Sequence, residues 1–77
     1  MNIEIEYCVP CGYLERAIDA QRQLLSEFGN KLASVRLTPG DQGVFTFRAD
    51  GKEIYSKPAE FNIDDIVATV RKELLAA

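Results

Sequence analysis

The spacing of apolar residues switches between two periods along this chain, and the order of the switches limits the folds open to it. From Asn2 to Tyr7 the residues Ile3, Ile5 and Tyr7 alternate with Asn2, Glu4 and Glu6, the two-residue period of a strand with one buried face. From Gly12 the recurrence lengthens to three and four at Leu14, Ala17, Ile18, Gln21, Leu24, Leu25 and Phe28. That spacing predicts a helix of about four turns, stopped at Gly29-Asn30. Lys31 to Thr38 alternates again and stops at Pro39-Gly40, which reads as a second strand. Gly43 to Ala49 and Lys52 to Lys57 are two further short runs joined by Asp50-Gly51, a pair suited to a hairpin turn because both positions accept positive φ. Phe45, Phe47 and Ala49 share one face of the first run. Ile54 is the one aliphatic residue of the second, which marks that run as a sheet edge.

The last segment opens with Phe61-Asn62-Ile63-Asp64-Asp65-Ile66. Asn62 can cap a helix, Asp65 can reach back from the third helical position, and Phe61 can pack on Ile66. Ile63, Ile66, Val67, Val70, Leu74 and Leu75 then carry an apolar stripe, with helix expected to Ala77. The order is β-α-β-β-β-α: a two-layer α+β arrangement in the α/β class, with a mixed four-stranded sheet and both helices on one face. Because the strands alternate, the other face meets water or a protein partner. Ser34, Arg36, Val44, Thr46 and Arg48 are expected to be accessible there, and Glu4 and Glu6 to form a solvated strand face. Seventy-seven residues with no linker read as one domain, 1–77. A chain of this size buries only roughly 60% of the surface its unfolded form exposes.

The net charge is −3, and the nine lysines and arginines are scattered. Nucleic acid is not an expected partner, since phosphate binding needs concentrated positive charge. No apolar run approaches the ~18 residues of a membrane span, and Met1-Asn2-Ile3-Glu4 lacks the layout of a signal peptide. No membrane association is expected, and the location expected is cytoplasmic. With no histidine, the commonest general base and metal ligand is missing.

That leaves Cys8 and Cys11 as the obvious reactive groups. A bridge between them closes a loop of about four residues, worth about 2 kcal/mol before strain, which is a poor staple. In a reducing compartment such a pair is expected to be catalytic, redox-sensing or metal-binding. Its place is distinctive: Cys8-Val9-Pro10-Cys11 lies between a predicted strand and a predicted helix, with Pro10 near the helix start. Free N–H groups and the positive end of the helix dipole there favour a thiolate, and a second thiol one turn on can resolve a mixed disulfide. Local physics favours Cys8 as the attacking thiol, nearer the exposed turn, with Cys11 shielded inside the first helical turn. Two buried, inert thiols are the plainer alternative. Zinc needs four ligands, which only a dimer sharing four cysteines supplies. Cu(I) is the stronger competitor, because small copper-handling domains also carry CxxC between a first strand and a first helix. Those domains run β-α-β-β-α-β, whereas this chain is expected to end in a helix. No metal or organic cofactor is expected.

Tyr7-Cys8-Val9-Pro10-Cys11-Gly12-Tyr13, Thr38-Pro39-Gly40 before Gly43-Val44-Phe45-Thr46-Phe47, and Gly51-Lys52-Glu53-Ile54-Tyr55-Ser56-Lys57 together resemble the selenoprotein W-like (Rdx) group of the selenoprotein T/W/H family. The resemblance runs nearly end to end. It implies a thioredoxin-like fold and a thiol–disulfide function through Cys8 and Cys11, with thiol or disulfide proteins or glutathione as partners. Selenoprotein members carry selenocysteine at the position of Cys11, while thioredoxins attack with the position of Cys8, so the pattern leaves the nucleophile open. Thioredoxin folds also place a cis-proline before strand three, where Pro39 stands, although a trans turn is the default. Tyr7 and Tyr13 flank the motif, either as packing groups or as an apolar rim for a partner. The alternative to a redox protein is a binding module, with the dithiol holding Cu(I) or Zn(II) or the open sheet face docking a protein.

Overall fold

The computed structural model describes residues 1–76. Its elements are β1 (Asn2–Cys8), α1 (Leu14–Phe28), a 3-10 turn (Gly29–Lys31), β2 (Ser34–Gly40), β3 (Phe45–Ala49), β4 (Lys52–Ser56) and α2 (Ile63–Ala76). The sheet order is β2-β1-β3-β4. β1 runs parallel to β2 and antiparallel to β3, and β3 pairs antiparallel with β4. This is the expected mixed four-stranded sheet. Its central pair is β1 and β3, where Ile5 faces Phe47 and Tyr7 faces Phe45. These residues form one core with Ala17, Ala20, Leu24 and Phe28 of α1 and Ile66 and Val70 of α2, so both helices cover the same sheet face.

Several boundaries differ from the sequence reading, each for a local reason. Lys31 belongs to the 3-10 turn, and β2 starts only at Ser34. β2 then runs through Pro39 to Gly40 instead of stopping before them. It is an edge strand paired only with β1, so proline's missing N–H costs no ladder bond on the free side. β3 starts at Phe45, two residues late, because Gln42 and Gly43 both take positive φ (57° and 77°) and Val44 N–H bonds back to Asp41 O. The hairpin at Asp50 and Gly51 has φ of 51° and 84°, the geometry of a primed turn. In β4 a register shift pairs Phe47 with Tyr55 and Arg48 with Glu53, leaving Ile54 as the extra residue. The bulge brings Tyr55 to the core face, where it packs edge-on to Phe45, Phe47 and Phe61 at 5.6–6.2 Å.

The helices follow the same logic. The stripe of α1 centres on Ala17, Ala20, Leu24 and Phe28, while Leu14 and Leu25 stay 42% and 43% exposed. Gln21 Nε2 donates to Val35 O at 2.7 Å and ties the helix to the edge strand. At α2, Asn62 Oδ1 accepts from Asp64 N–H at 2.9 Å, as a cap should. Phe61 joins the aromatic cluster, 5.1 Å from Phe45. Ala77 lies outside the described residues.

The outer face of the sheet carries no helix. Ser34 and Arg36 are exposed, and Val44 and Arg48 are half-buried. Thr46 departs from expectation at 4% exposure, its hydroxyl 3.2 Å from Ser56 Oγ on the neighbouring strand. Glu4 and Glu6 are not simply solvated. Glu4 accepts from Arg36, Thr38 and Arg48, and Glu6 from Arg48, at 2.8–3.2 Å. The network holds the Glu4 carboxyl below its ordinary range, chiefly through the Thr38 and Arg36 bonds, and pushes the Arg48 guanidinium up, chiefly through Glu6.

Candidate functional site

Cys8 is the last residue of β1, and its position follows from the length of β2. The β1–β2 ladder continues until Cys8 faces Gly40, and Val9 N–H donates to Gly40 O at 3.0 Å beyond the strand end. The chain then turns sharply. Gly12 N–H bonds to Val9 O at 3.2 Å and Tyr13 N–H to Cys8 O at 3.4 Å, with Gly12 at φ 77°. A side chain is strained in that left-handed region, which accounts for glycine at position 12. The turn folds Cys11 back on Cys8: the Cα atoms are 5.3 Å apart and the sulfurs are joined in a disulfide.

The two cysteines have opposite environments. Cys8 is fully buried, while Cys11 is exposed. This inverts the expectation that Cys8 would be the open thiol and Cys11 the shielded one. The reason is where the helix begins. The positive φ at Gly12 interrupts the chain, α1 starts only at Leu14, and Cys11 stays in the turn outside it. Pro10 is likewise exposed in the turn, before the helix.

Tyr13 is the N-cap residue of α1 and makes no side-chain capping bond, so the first helical N–H groups have no side-chain partner there. Its ring lies 5.4 Å from Phe45. Lys57, just past the end of β4, donates from Nζ to Tyr13 Oη and lies over the ring at 4.8 Å, and Arg16 Cζ is 5.4 Å from the same centroid. The Lys57 bond, reinforced by the two positive charges, holds the Tyr13 phenol below its ordinary range.

Of the two tyrosines read as a candidate rim, Tyr7 is in the core at 9% exposure and Tyr13 is half-buried. The exposed apolar side chains beside the motif are Val9 at 53% and Leu14 at 42%. Sequence reasoning missed both. Val9 lies inside the motif, and Leu14 fitted the helical stripe although it falls at its edge. The Thr38–Pro39 peptide is trans, and among the described residues the cis peptide bond is Lys57–Pro58. Among the described residues no three His, Cys, Asp or Glu side chains group in a way that could hold a metal ion, so the ligands at this turn are the two thiols alone.

A β-α-β-β-β-α chain with a mixed four-stranded sheet, two helices on one face and a cysteine pair at the first strand-to-helix turn has a thioredoxin-like fold. The protein belongs to the Rdx family, whose model matches residues 2–72. A crystal structure of a Bordetella parapertussis protein is similar at TM-score 0.89 and 32% identity, over 94% of this chain and 95% of that one. The selenoprotein W-related protein from Vibrio cholerae is similar at TM-score 0.89 and 25% identity, over 95% of each chain. No curated protein matches the chain. None of the helices among the described residues is long and apolar enough to cross a membrane.

Proposed function

We propose that this protein is a cytoplasmic thiol–disulfide redox protein working through Cys8 and Cys11, with Cys11 the sulfur that meets the partner. The observation that carries this reading is the pairing of an exposed Cys11 with a fully buried Cys8 at an uncapped helix start. Only Cys11 is open to an external sulfur. A thiolate beside a helix N-terminus is stabilised by the free N–H groups and the dipole.

The exchange balances in two steps. The Cys11 thiolate attacks one sulfur of the partner's disulfide, forming a Cys11–partner bond while the partner's other sulfur leaves as a thiolate and takes a proton. The Cys8 thiol then gives its proton to solvent and attacks Cys11 Sγ, which forms the Cys8–Cys11 bond and expels the second partner thiolate. Two electrons pass to the partner, and the protein is left as the disulfide. In reverse, an external thiolate attacks the exposed Cys11 Sγ, and a second thiol completes the reduction. Family membership and the close cysteine pair support this chemistry.

The test is a mass-resolved titration of the pure protein in thiol–disulfide buffers. The expected result is an intramolecular disulfide in a monomer with a potential of roughly −180 to −270 mV, the span of thioredoxin-like and isomerase dithiols. Retention of both free thiols under oxidation, or an intermolecular dimer alone, defeats the proposal. A value below about −300 mV assigns the bond a structural role instead.

A further inference from the structure

Of the nine lysines and arginines, Arg22, Arg36, Arg48, Lys52 and Arg71 are in ion pairs among the described residues, and Arg16, Lys31, Lys57 and Lys72 are in none. Two of these four, Arg16 and Lys57, lie against one ring, that of Tyr13, at 5.4 and 4.8 Å from its centroid. Tyr13 stands two residues after Cys11 and opens α1. Glu15, the one acidic residue of the first turn, pairs with neither cation among the described residues. The attraction of a cation to an aromatic face offsets part of the repulsion between the two charges. Neither cation has a carboxylate oxygen within 4.0 Å among the described residues. The helix N-terminus adds potential of the same sign. A chain of net charge −3 therefore gathers two unpaired cations on the ring that stands two residues after its exposed cysteine, in a stretch of chain where Val9 and Leu14 are exposed apolar side chains.

We infer that Arg16 and Lys57, held on Tyr13, select the redox partner by charge: the substrate class is a protein or peptide disulfide whose reactive cysteine is flanked by carboxylates. The inference rests on the redox reading above and deepens it. Carboxylates on the partner approach two unpaired cations, while Val9 and Leu14 cover apolar surface next to the reacting sulfur. Electrostatic attraction of this kind acts mainly on the rate of encounter and falls as salt rises.

The test measures how fast the reduced protein reduces symmetric disulfides of three pentapeptides, with the cysteine between two glutamates, two serines or two lysines. Each turnover converts one peptide disulfide to two thiols and the protein dithiol to its disulfide. At low ionic strength the glutamate peptide is expected to react about ten times faster than the lysine peptide. The ratio should fall toward one in 1 M salt, where the screening length is about 3 Å. The double variant Arg16→Gln, Lys57→Gln should bring the low-salt ratio close to one, and Arg16→Glu, Lys57→Glu should invert it. Lys31→Gln with Lys72→Gln, an equal change in net charge away from the motif, should keep the tenfold ratio. Equal rates for the glutamate and lysine peptides on the unaltered protein overturn the inference without any variant. So does a tenfold ratio that survives the Arg16, Lys57 double variant, or one lost equally in the Lys31, Lys72 control. If the serine peptide is reduced and charge makes no difference, the redox reading stands and this inference alone fails. If none of the three peptides is reduced, both fail.

Discussion

Gly40 lies directly across the parallel ladder from Cys8 and has no room for a side chain. A Cβ built there meets Val44 Cγ1 at 2.8 Å and Glu6 Oε2 at 3.0 Å. The edge strand must pass this point closely, because Gly40 O also receives Val9 N–H and so fixes the entry to the cysteine turn. Gly40→Ala is therefore expected to lower stability by about 1–3 kcal/mol, the range for overpacking a tight site. Urea unfolding with an unchanged slope would measure it. A midpoint equal to that of the unaltered protein would show that Val44 and Glu6 move aside freely.

The role of Gly40 also shows where legibility in the sequence stopped. The alternation of Ile3, Ile5 and Tyr7, the Asp50-Gly51 turn and the Asn62 cap are local signals, and the element order and layer arrangement followed from them. The position of the dithiol between strand and helix was legible for the same reason. Its polarity was not. Which cysteine is buried depends on β2 continuing through Pro39 to Gly40 and on α1 starting at Leu14, and both are settled by strand pairing and by one backbone angle at Gly12. The aromatic cluster of Phe45, Phe47, Tyr55 and Phe61 was hidden likewise, since a bulge at Ile54 decides which way Tyr55 faces. The pairing of Lys57 with Tyr13 spans 44 positions in the chain and leaves no local trace.

Acid should weaken the fold partly through Glu4. Its carboxyl is held below the ordinary range by Thr38, Arg36 and Arg48, so its contribution is present above the unfolded-state pKa near 4.3 and is lost as pH falls through the lower folded-state value. Glu4→Gln is expected to cost about 1 kcal/mol at pH 7, as for a partly exposed charged hydrogen-bond network. It should also flatten the fall in stability below about pH 5 relative to the unaltered protein. Urea midpoints measured from pH 7 to pH 3 test both effects. Parallel curves for the two proteins would show that the network adds nothing.

A metal-holding role makes a separate demand on the same cysteines. Two thiols form an incomplete set for structural zinc, and Ile3, Ile5, Leu24, Phe45, Phe47 and Val70 supply an apolar core that needs no metal to hold it, with Cys8 buried beside them as a small apolar side chain. The reduced protein is expected to keep its far-ultraviolet spectrum and its thermal midpoint after extended treatment with a chelator, whereas a zinc-dependent fold would collapse. Stoichiometric Cu(I) carried through purification and handed to a second dithiol would instead favour the carrier reading.

The burial difference between Cys8 and Cys11 gives the two single-serine variants opposite behaviour. Because Cys11 is exposed in the turn and Cys8 is fully covered at the end of β1, Cys8→Ser should retain a thiol that alkylates quickly near neutral pH. It should also accumulate mixed disulfides with glutathione or a protein partner, since nothing remains to resolve them. Cys11→Ser should leave a thiol that alkylates at least tenfold more slowly and traps little, because access limits a buried sulfur. Adding urea to unfold Cys11→Ser should restore fast alkylation, which separates poor access from chemical damage to the thiol. If the folded Cys11→Ser variant instead alkylates quickly and traps partners, the turn opens in solution enough to present Cys8, and the attacking order is the reverse of the one proposed.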